Sequence, residues 1–397
     1  MSKVKIGIVL PPSEYGGVYQ YSLSIIESLV RYSKLFEYVV LHTDDLPDLP
    51  TMSHVSTVRL RSYISPLKGK LSIFANLALD RTLFNMNNHQ EKALLQEASI
   101  KLLVIPFPSF FGFRNGIRYI VSIPDMMHKY FPSFPEFPLK ERMMRDFIYR
   151  NSAKNASFSV VDDTQGLEDL RRFYGINRDT IRVIPYIPPG YIYAYQDMNL
   201  QTADNILRNY SLPSEYLFYP AQCWYHKNHL RLISALRLIK EDYGVSIPLV
   251  LAGFTKWKYE SVINAIRDLS DQITHVGFVS EREIVALYKK STALVYPSLF
   301  GPTNIPPLEA MLLGTPVACS NVFSMPRQIG SAGVLFDPLD VKDISEKIFK
   351  IWTDESLRRK LILKGYEKTK NLTLENYAQK WESLIEEAVI SLPDLRT

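Results

Sequence analysis

Residues 296–320 read YPSLFGPTNIPPLEAMLLGTPVACS. The apolar run just before and into it, 293–296, has the length and composition of a buried strand. A turn segment, 297–304, follows. The Pro306-Pro307 pair opens a short helix, since a missing N–H does no harm in the first helical turn. Thr303 or Asn304 can cap its start. Gly314 stops it, and 316–319 begin the next strand. Strand, turn, helix, strand is one unit of a parallel α/β sheet. The turn and the first helical N–H groups then lie at the carboxyl end of the first strand, where unpaired donors and the helix dipole favour an anion. Glu309 sits in the same helix. A carboxylate suits phosphate poorly but accepts well from paired sugar hydroxyls, so the stretch predicts a ligand with both a diphosphate and a ribose.

The whole chain fits two such units. Its 397 residues exceed one typical core, and 46% hydrophobic with 22% charged residues is ordinary for a globular protein. Cys223 and Cys319, far apart in sequence, suit neither a disulfide framework nor a metal cluster, and fit a reducing cytoplasm. The first residues read as a strand rather than a signal peptide, and no window approaches 18 uninterrupted apolar residues. The net charge of +5 is compatible with an acidic membrane surface or a phosphorylated substrate. No motif or Lys/Arg cluster argues for nucleic acid.

In the amino-terminal half, 4–10 (VKIGIVL) reads as a strand, 11–16 as a loop and 17–32 as a helix with Val18, Tyr21, Ile25 and Leu29 on its buried face. Gly16-Gly17 permits a tight turn or a close ligand approach. The dinucleotide fingerprint GxGxxG is absent, which disfavours a nicotinamide enzyme. Further strands are expected at 38–41, 102–105, 119–123, 158–161 and 181–184. Residues 65–95 read as a helix, packed on its own sheet or presenting Lys68 and Lys70 to a membrane or acceptor; the packed reading is favoured. The segment 121–135, VSIPDMMHKYFPSFP, ends a strand at Ile123 and sets Asp125 and His128 in a loop at its carboxyl end. Residues 140–154 form a basic helix, with Arg142, Arg145 and Arg150 on the polar side and Met143, Phe147 and Ile148 more buried. Asp162-Asp163-Thr164 reads as the cap of helix 165–174 rather than a metal site. Prolines 185, 188 and 189 mark a linker.

In the carboxyl-terminal half, strands are expected at 216–220, 249–253, 273–276 and 332–336, and helices from near 228 and at 343–353, 355–369 and 376–392. The loop AQCWYHKNH, 221–229, again precedes a helix start, and Lys227 at its mouth can hold phosphate as a point charge.

The stretch NIPPLEAMLLGTPV resembles the signature of the retaining glycosyltransferases of family 4, which have the GT-B fold: α/β, two Rossmann-like doubly wound domains facing a cleft. The wording FGPTNIPPLEA is similar to a subgroup of bacterial surface-polysaccharide enzymes. The likeness implies that Glu309 binds the nucleotide ribose, with Thr303, Asn304 and Ile305 at the same donor site. A first glutamate eight residues earlier usually contacts the donor sugar; Gly301 stands there. The likeness further implies diphosphate contacts from Gly16, Gly17 and Lys227, with the usual Arg replaced by Ala221 or Gln222. It places the turn at Phe278 and Val279 by the base. It matches Asp125 and His128 to HDLxHxxxP, with Pro124 for the first histidine, and implies that both are catalytic residues, His128 hydrogen-bonding to donor or acceptor hydroxyls. The expected domains are 1–189, an acceptor-side domain; 190–374, a donor domain; and 375–397, a helix that packs back on the first. The expected activity is metal-independent transfer, with retention, of a sugar such as mannose. The donor is a GDP- or UDP-sugar co-substrate and no cofactor is required. The acceptor is a glycan or lipid-linked glycan for surface polysaccharide such as O-antigen. The expected place is the cytoplasm, open to peripheral contact with the inner face of the cell membrane. The alternative is a non-catalytic nucleotide-sugar-binding partner in a glycan-synthesis complex.

Overall fold

The computed structural model describes residues 3–43, 53–60, 89–253, 260–301 and 304–391. Lys68, Lys70 and Thr303 lie outside them. The chain divides into two compact units. The first is Met1–Ser133, Phe137–Pro189 and Thr373–Thr397; the second is Phe134–Glu136 and Gly190–Leu372. The three-residue segment 134–136 thus groups with the second unit although the chain on either side of it does not, a detail absent from the expected boundaries.

The first unit holds a seven-stranded parallel sheet in the order β3-β2-β1-β4-β5-β6-β7. Its strands are β1 (Lys5–Val9), β2 (Glu37–His42), β3 (Val55–Arg59), β4 (Ile100–Ile105), β5 (Tyr119–Ser122), β6 (Phe158–Val161) and β7 (Ile181–Val183). Strands covered on both faces read as continuous apolar runs, which is why β1, β4 and β5 stand out in sequence. β3, VSTVR, sits at the edge with polar residues interleaved, and sequence reading missed it.

The helix Gly17–Tyr32 departs from its expected single buried stripe. Val18 is half-buried, while Tyr21 to Ile26 and Ser28 to Val30 are all buried. The cause is the terminal helix Leu374–Ile390, which packs against it within the same unit and buries Tyr377, Trp381 and Ile385. Likewise, in the helix Leu139–Asn155, Met143 is exposed and Ile148 only half-buried, whereas Phe147, Tyr149, Ser152 and Ala153 are buried.

The second unit repeats the plan with six parallel strands, order β10-β9-β8-β11-β12-β13. These are β8 (Leu217–Pro220), β9 (Leu249–Ala252), β10 (Ile273–His275), β11 (Ala293–Tyr296), β12 (Val317–Ser320) and β13 (Gly333–Phe336). Its core is continuous, from Phe218 and Leu251 through Val295 and Ala318 to Ile344 and Ile348. In both sheets the strand order reverses beside the first strand, between β1 and β4 and between β8 and β11. That is where ligands of doubly wound folds bind. The loops after β1, β8 and β11 carry Gly16-Gly17, Lys227 and the segment leading to Glu309. Among the described residues no helix is long and apolar enough to cross a membrane.

Candidate functional site

In the second unit, the loops after β8 and β11 are laced together. Leu299 N donates to the His226 carbonyl at 2.8 Å, and Asn228 Nδ2 donates to the carbonyls of Pro297 at 3.0 Å and Pro338 at 2.8 Å. Asn228 adopts φ 61° to turn the chain into the helix His229–Tyr243; asparagine tolerates this left-handed region better than most residues. Glu136 accepts from both the backbone N and Nδ1 of His226, each at 3.0 Å. Burial works against its ionisation, but these bonds outweigh it and hold the carboxyl below its ordinary pKa. No sequence motif marks Glu136 for this role.

The Lys227 ammonium is half-buried and donates to Tyr296 Oη at 2.7 Å. Tyr296 Oη in turn donates to Asn304 Oδ1 at 2.9 Å. Asn304 stands at the N-cap position of the helix Ile305–Leu312, yet its side chain makes no capping bond. It turns to Tyr296 instead, so of the two expected caps Asn304 does not serve, and Thr303 lies outside the described residues. Its backbone is clamped by Gln328, whose Oε1 accepts from Asn304 N at 3.1 Å and whose Nε2 donates to Asn304 O at 2.6 Å.

Glu309 is 5% exposed. Tyr288 Oη donates to its Oε2 at 2.6 Å. Burial pushes its pKa up from 4.5 to about 7, against the opposing pull of the Tyr288 bond. Ile305 beside it is half-buried. Phe278 is 70% exposed and Val279 is buried.

In the first unit, Gly16 has φ 54° and ψ −113°, which a residue with a Cβ adopts only under strain. Gly17 opens the helix, and a Cβ built there meets nothing within 4 Å. Packing therefore does not require glycine at 17. Asp125 lies in the loop after β5, whereas His128 lies not in a loop but within a helical turn, Met127–Tyr130. Asp125 is engaged structurally: Arg145 Nη2 lies 2.9 Å from both carboxylate oxygens, and Met127 N donates to Oδ1 at 2.9 Å. His128 is 1% exposed. Its Nε2 lies 3.1 Å from Tyr174 Oη and 3.5 Å from Asp146 Oδ1, while its Nδ1 is buried without a partner. Burial lowers its pKa, although Asp146 pulls the other way, so the ring is neutral near pH 7. Asp146 also pairs with Lys129. Burial alone would raise the Asp146 pKa, but the bonds from His128 and Lys129 hold it well below the usual carboxylate range. His128, Lys129, Pro132, Arg142, Met143 and Asp146 line a cavity of about 270 Å³. Among the described residues no three His, Cys, Asp or Glu side chains converge as a metal site.

Residues 208–368 match the family model described as Glycosyl transferases group 1. The O-antigen chain mannosyltransferase B of Escherichia coli is 32% identical over 174 residues, 43% of this chain and 46% of that protein. The serotype-specific mannosyltransferase WbdA of Escherichia coli is 32% identical over 305 residues, 70% of this chain and 36% of that protein. The matched regions thus span less than half the length of these relatives. Among solved structures, sucrose-phosphate synthase from Thermosynechococcus elongatus superposes with TM-score 0.74 at 18% identity, covering 98% of this chain and all of that one. Anabaena HepE in complex with UDP and glucose gives 0.72 at 13% identity, covering 97% and 100%. Both relatives are named as enzymes, which lends no weight to a non-catalytic reading. Residues 208–368, most of the second unit, thus match the glycosyl transferases group 1 family model, on a chain with the two-domain α/β fold of GT-B structures.

Proposed function

We propose that this chain is a retaining glycosyltransferase that needs neither a bound metal nor a cofactor. It moves a sugar, mannose first among candidates, from a nucleoside diphosphate sugar to an acceptor hydroxyl in surface-polysaccharide or lipid-linked glycan synthesis. The observation that carries this reading is Glu309. A carboxylate buried to 5% exposure, in a helix that starts at the sheet's switch point, gains two good partners when ribose hydroxyls donate to it. Lys227 is the cation for the diphosphate, whose negative charge grows as the glycosidic bond breaks. A preorganised donor is most effective at such a developing charge. In the first unit, the Gly16-Gly17 turn suits backbone contact with a diphosphate, and the open space above Gly17 fits that role. Phe278 and Val279 flank the base, through the backbone where Val279 is buried.

His128, neutral and with a free Nδ1, supplies a hydrogen bond to a hydroxyl entering the 270 Å³ cavity. Asp125 acts through Arg145 rather than as a free acid. Mannose as the sugar rests on the names of the E. coli relatives. The acceptor places the work in the cytoplasm, at the inner face of the cell membrane.

The test is transfer by the purified chain from GDP-mannose, and separately from UDP-glucose, to a lipid-linked glycan, with and without EDTA. Undiminished transfer by both Lys227→Ala and Glu309→Ala would sink the site. An inverted anomeric product would sink retention, and loss of activity in EDTA would sink metal independence.

A further inference from the structure

The chain lacks an acidic side chain at 301, and the structure shows what fills the space instead. A Cβ built on Gly301 would lie 2.0 Å from Asn304 Nδ2 and 2.5 Å from its Cγ and Oδ1. Glycine at 301 and asparagine at 304 are therefore one arrangement: the Asn304 amide lies where any side chain of residue 301 would begin.

The amide is also oriented. An ammonium can only donate, so Tyr296 Oη accepts from Lys227 and spends its own hydrogen on Asn304 Oδ1. The carbonyl end of Asn304 is thus fixed toward Tyr296. The Nδ2 end lies over Gly301, buried and without a hydrogen-bond partner, in a residue only 5% exposed. The Gln328 clamp on its backbone keeps it there. A buried amide N–H₂ with nothing to donate to is rare in native folds and costs stability, so its presence calls for a partner that arrives from outside.

We propose that Asn304 is a donor-sugar contact, giving an Nδ2 hydrogen to a hydroxyl oxygen of the transferred sugar in place of the missing side chain at 301. The contact is neutral and donating, where a carboxylate would be charged and accepting. The Lys227–Tyr296–Asn304 chain then links the diphosphate cation to the sugar contact. This inference rests on the donor site proposed above and deepens it.

The test compares affinities for GDP-mannose and GDP, and for UDP-glucose and UDP, by calorimetry on the full chain. Asn304→Asp keeps the oxygen that faces Tyr296 and removes the donor. The expected result is about a tenfold loss of affinity for the nucleotide sugar, with the bare nucleoside diphosphate changed less than about threefold. Gly301→Ala, which drives a methyl into Nδ2, is expected to do the same. Equal loss for sugar and diphosphate in Asn304→Asp would make Asn304 merely structural and overturn the inference. So would unchanged sugar affinity. Failure of the wild-type chain to bind any of the four probes would instead overturn the donor site itself.

Discussion

Replacing Glu309 by glutamine separates what the residue costs the fold from what it gives the ligand. In the folded chain its pKa stands at about 7 instead of 4.5, chiefly through burial. A carboxyl whose folded pKa is raised holds its proton longer in the native state than in the unfolded one. Below pH 4.5 both states are protonated and nothing is lost. Between pH 4.5 and about 7 the native state binds more protons, so stability falls as pH rises; above pH 7 the penalty is complete. At about 1.4 kcal/mol per pH unit, the penalty reaches about 3 kcal/mol at pH 8. Glutamine has the same shape, accepts the Tyr288 hydrogen and carries no charge. Glu309→Gln should therefore be more stable than the wild type by about 3 kcal/mol at pH 8, with the gap closing as pH falls to 4.5. Denaturant unfolding of both chains without ligand, from pH 5 to pH 8, measures this directly. With GDP at about 100 times the wild-type dissociation constant, the wild type should gain about 2.7 kcal/mol and the variant much less. A pH-independent gap, or a wild type more stable than the variant at pH 8 without ligand, would refute the burial argument.

The glycines of the first loop should part company. Gly17→Ala places its methyl in open space, so thermal unfolding should be unchanged or slightly later while sugar transfer drops. Gly16→Ala forces a Cβ into φ 54°, ψ −113° and should cost about 1–3 kcal/mol by denaturant unfolding. His229 is buried against Tyr219 at 4.8 Å between ring centroids, and its pKa is lowered from 6.5 to about 3, mainly by burial. A base with a depressed folded pKa loses stability as pH falls below 6.5. The wild type should therefore lose about 2 kcal/mol more than His229→Phe between pH 7 and pH 5, as read from paired urea titrations. Trp381, on the terminal helix, is fully buried; Trp381→Ala should cost about 3–5 kcal/mol, visible as a lower denaturant midpoint.

The elements that could be read from the chain are those whose information is local. Apolar runs such as 293–296, the glycine stop at 314 and the proline start at 306 specify strand, turn and helix by backbone chemistry alone, and β6 (Phe158–Val161) and the helix Glu355–Thr369 came out residue for residue. Their repetition implied two doubly wound sheets. The motifs around Lys227 and Glu309 named those residues through likeness to a family, because a ligand loop keeps its chemistry in a short stretch. Tertiary structure decided what depends on distant neighbours. Helical periodicity predicts one buried face for Gly17–Tyr32; the second exists only because residues some 350 positions later cover it. The edge strand β3 lacks the apolar run that burial on both faces produces. His128 meets Asp146 and Tyr174 across 18 and 46 residues, and Glu309 meets Tyr288 from another helix, so neither its neutrality nor its raised pKa has a local signature. Gly301 looks in sequence like a lost contact. Only packing shows that the Asn304 side chain occupies its place, since two atoms cannot share one volume and the sequence carries no coordinate for either.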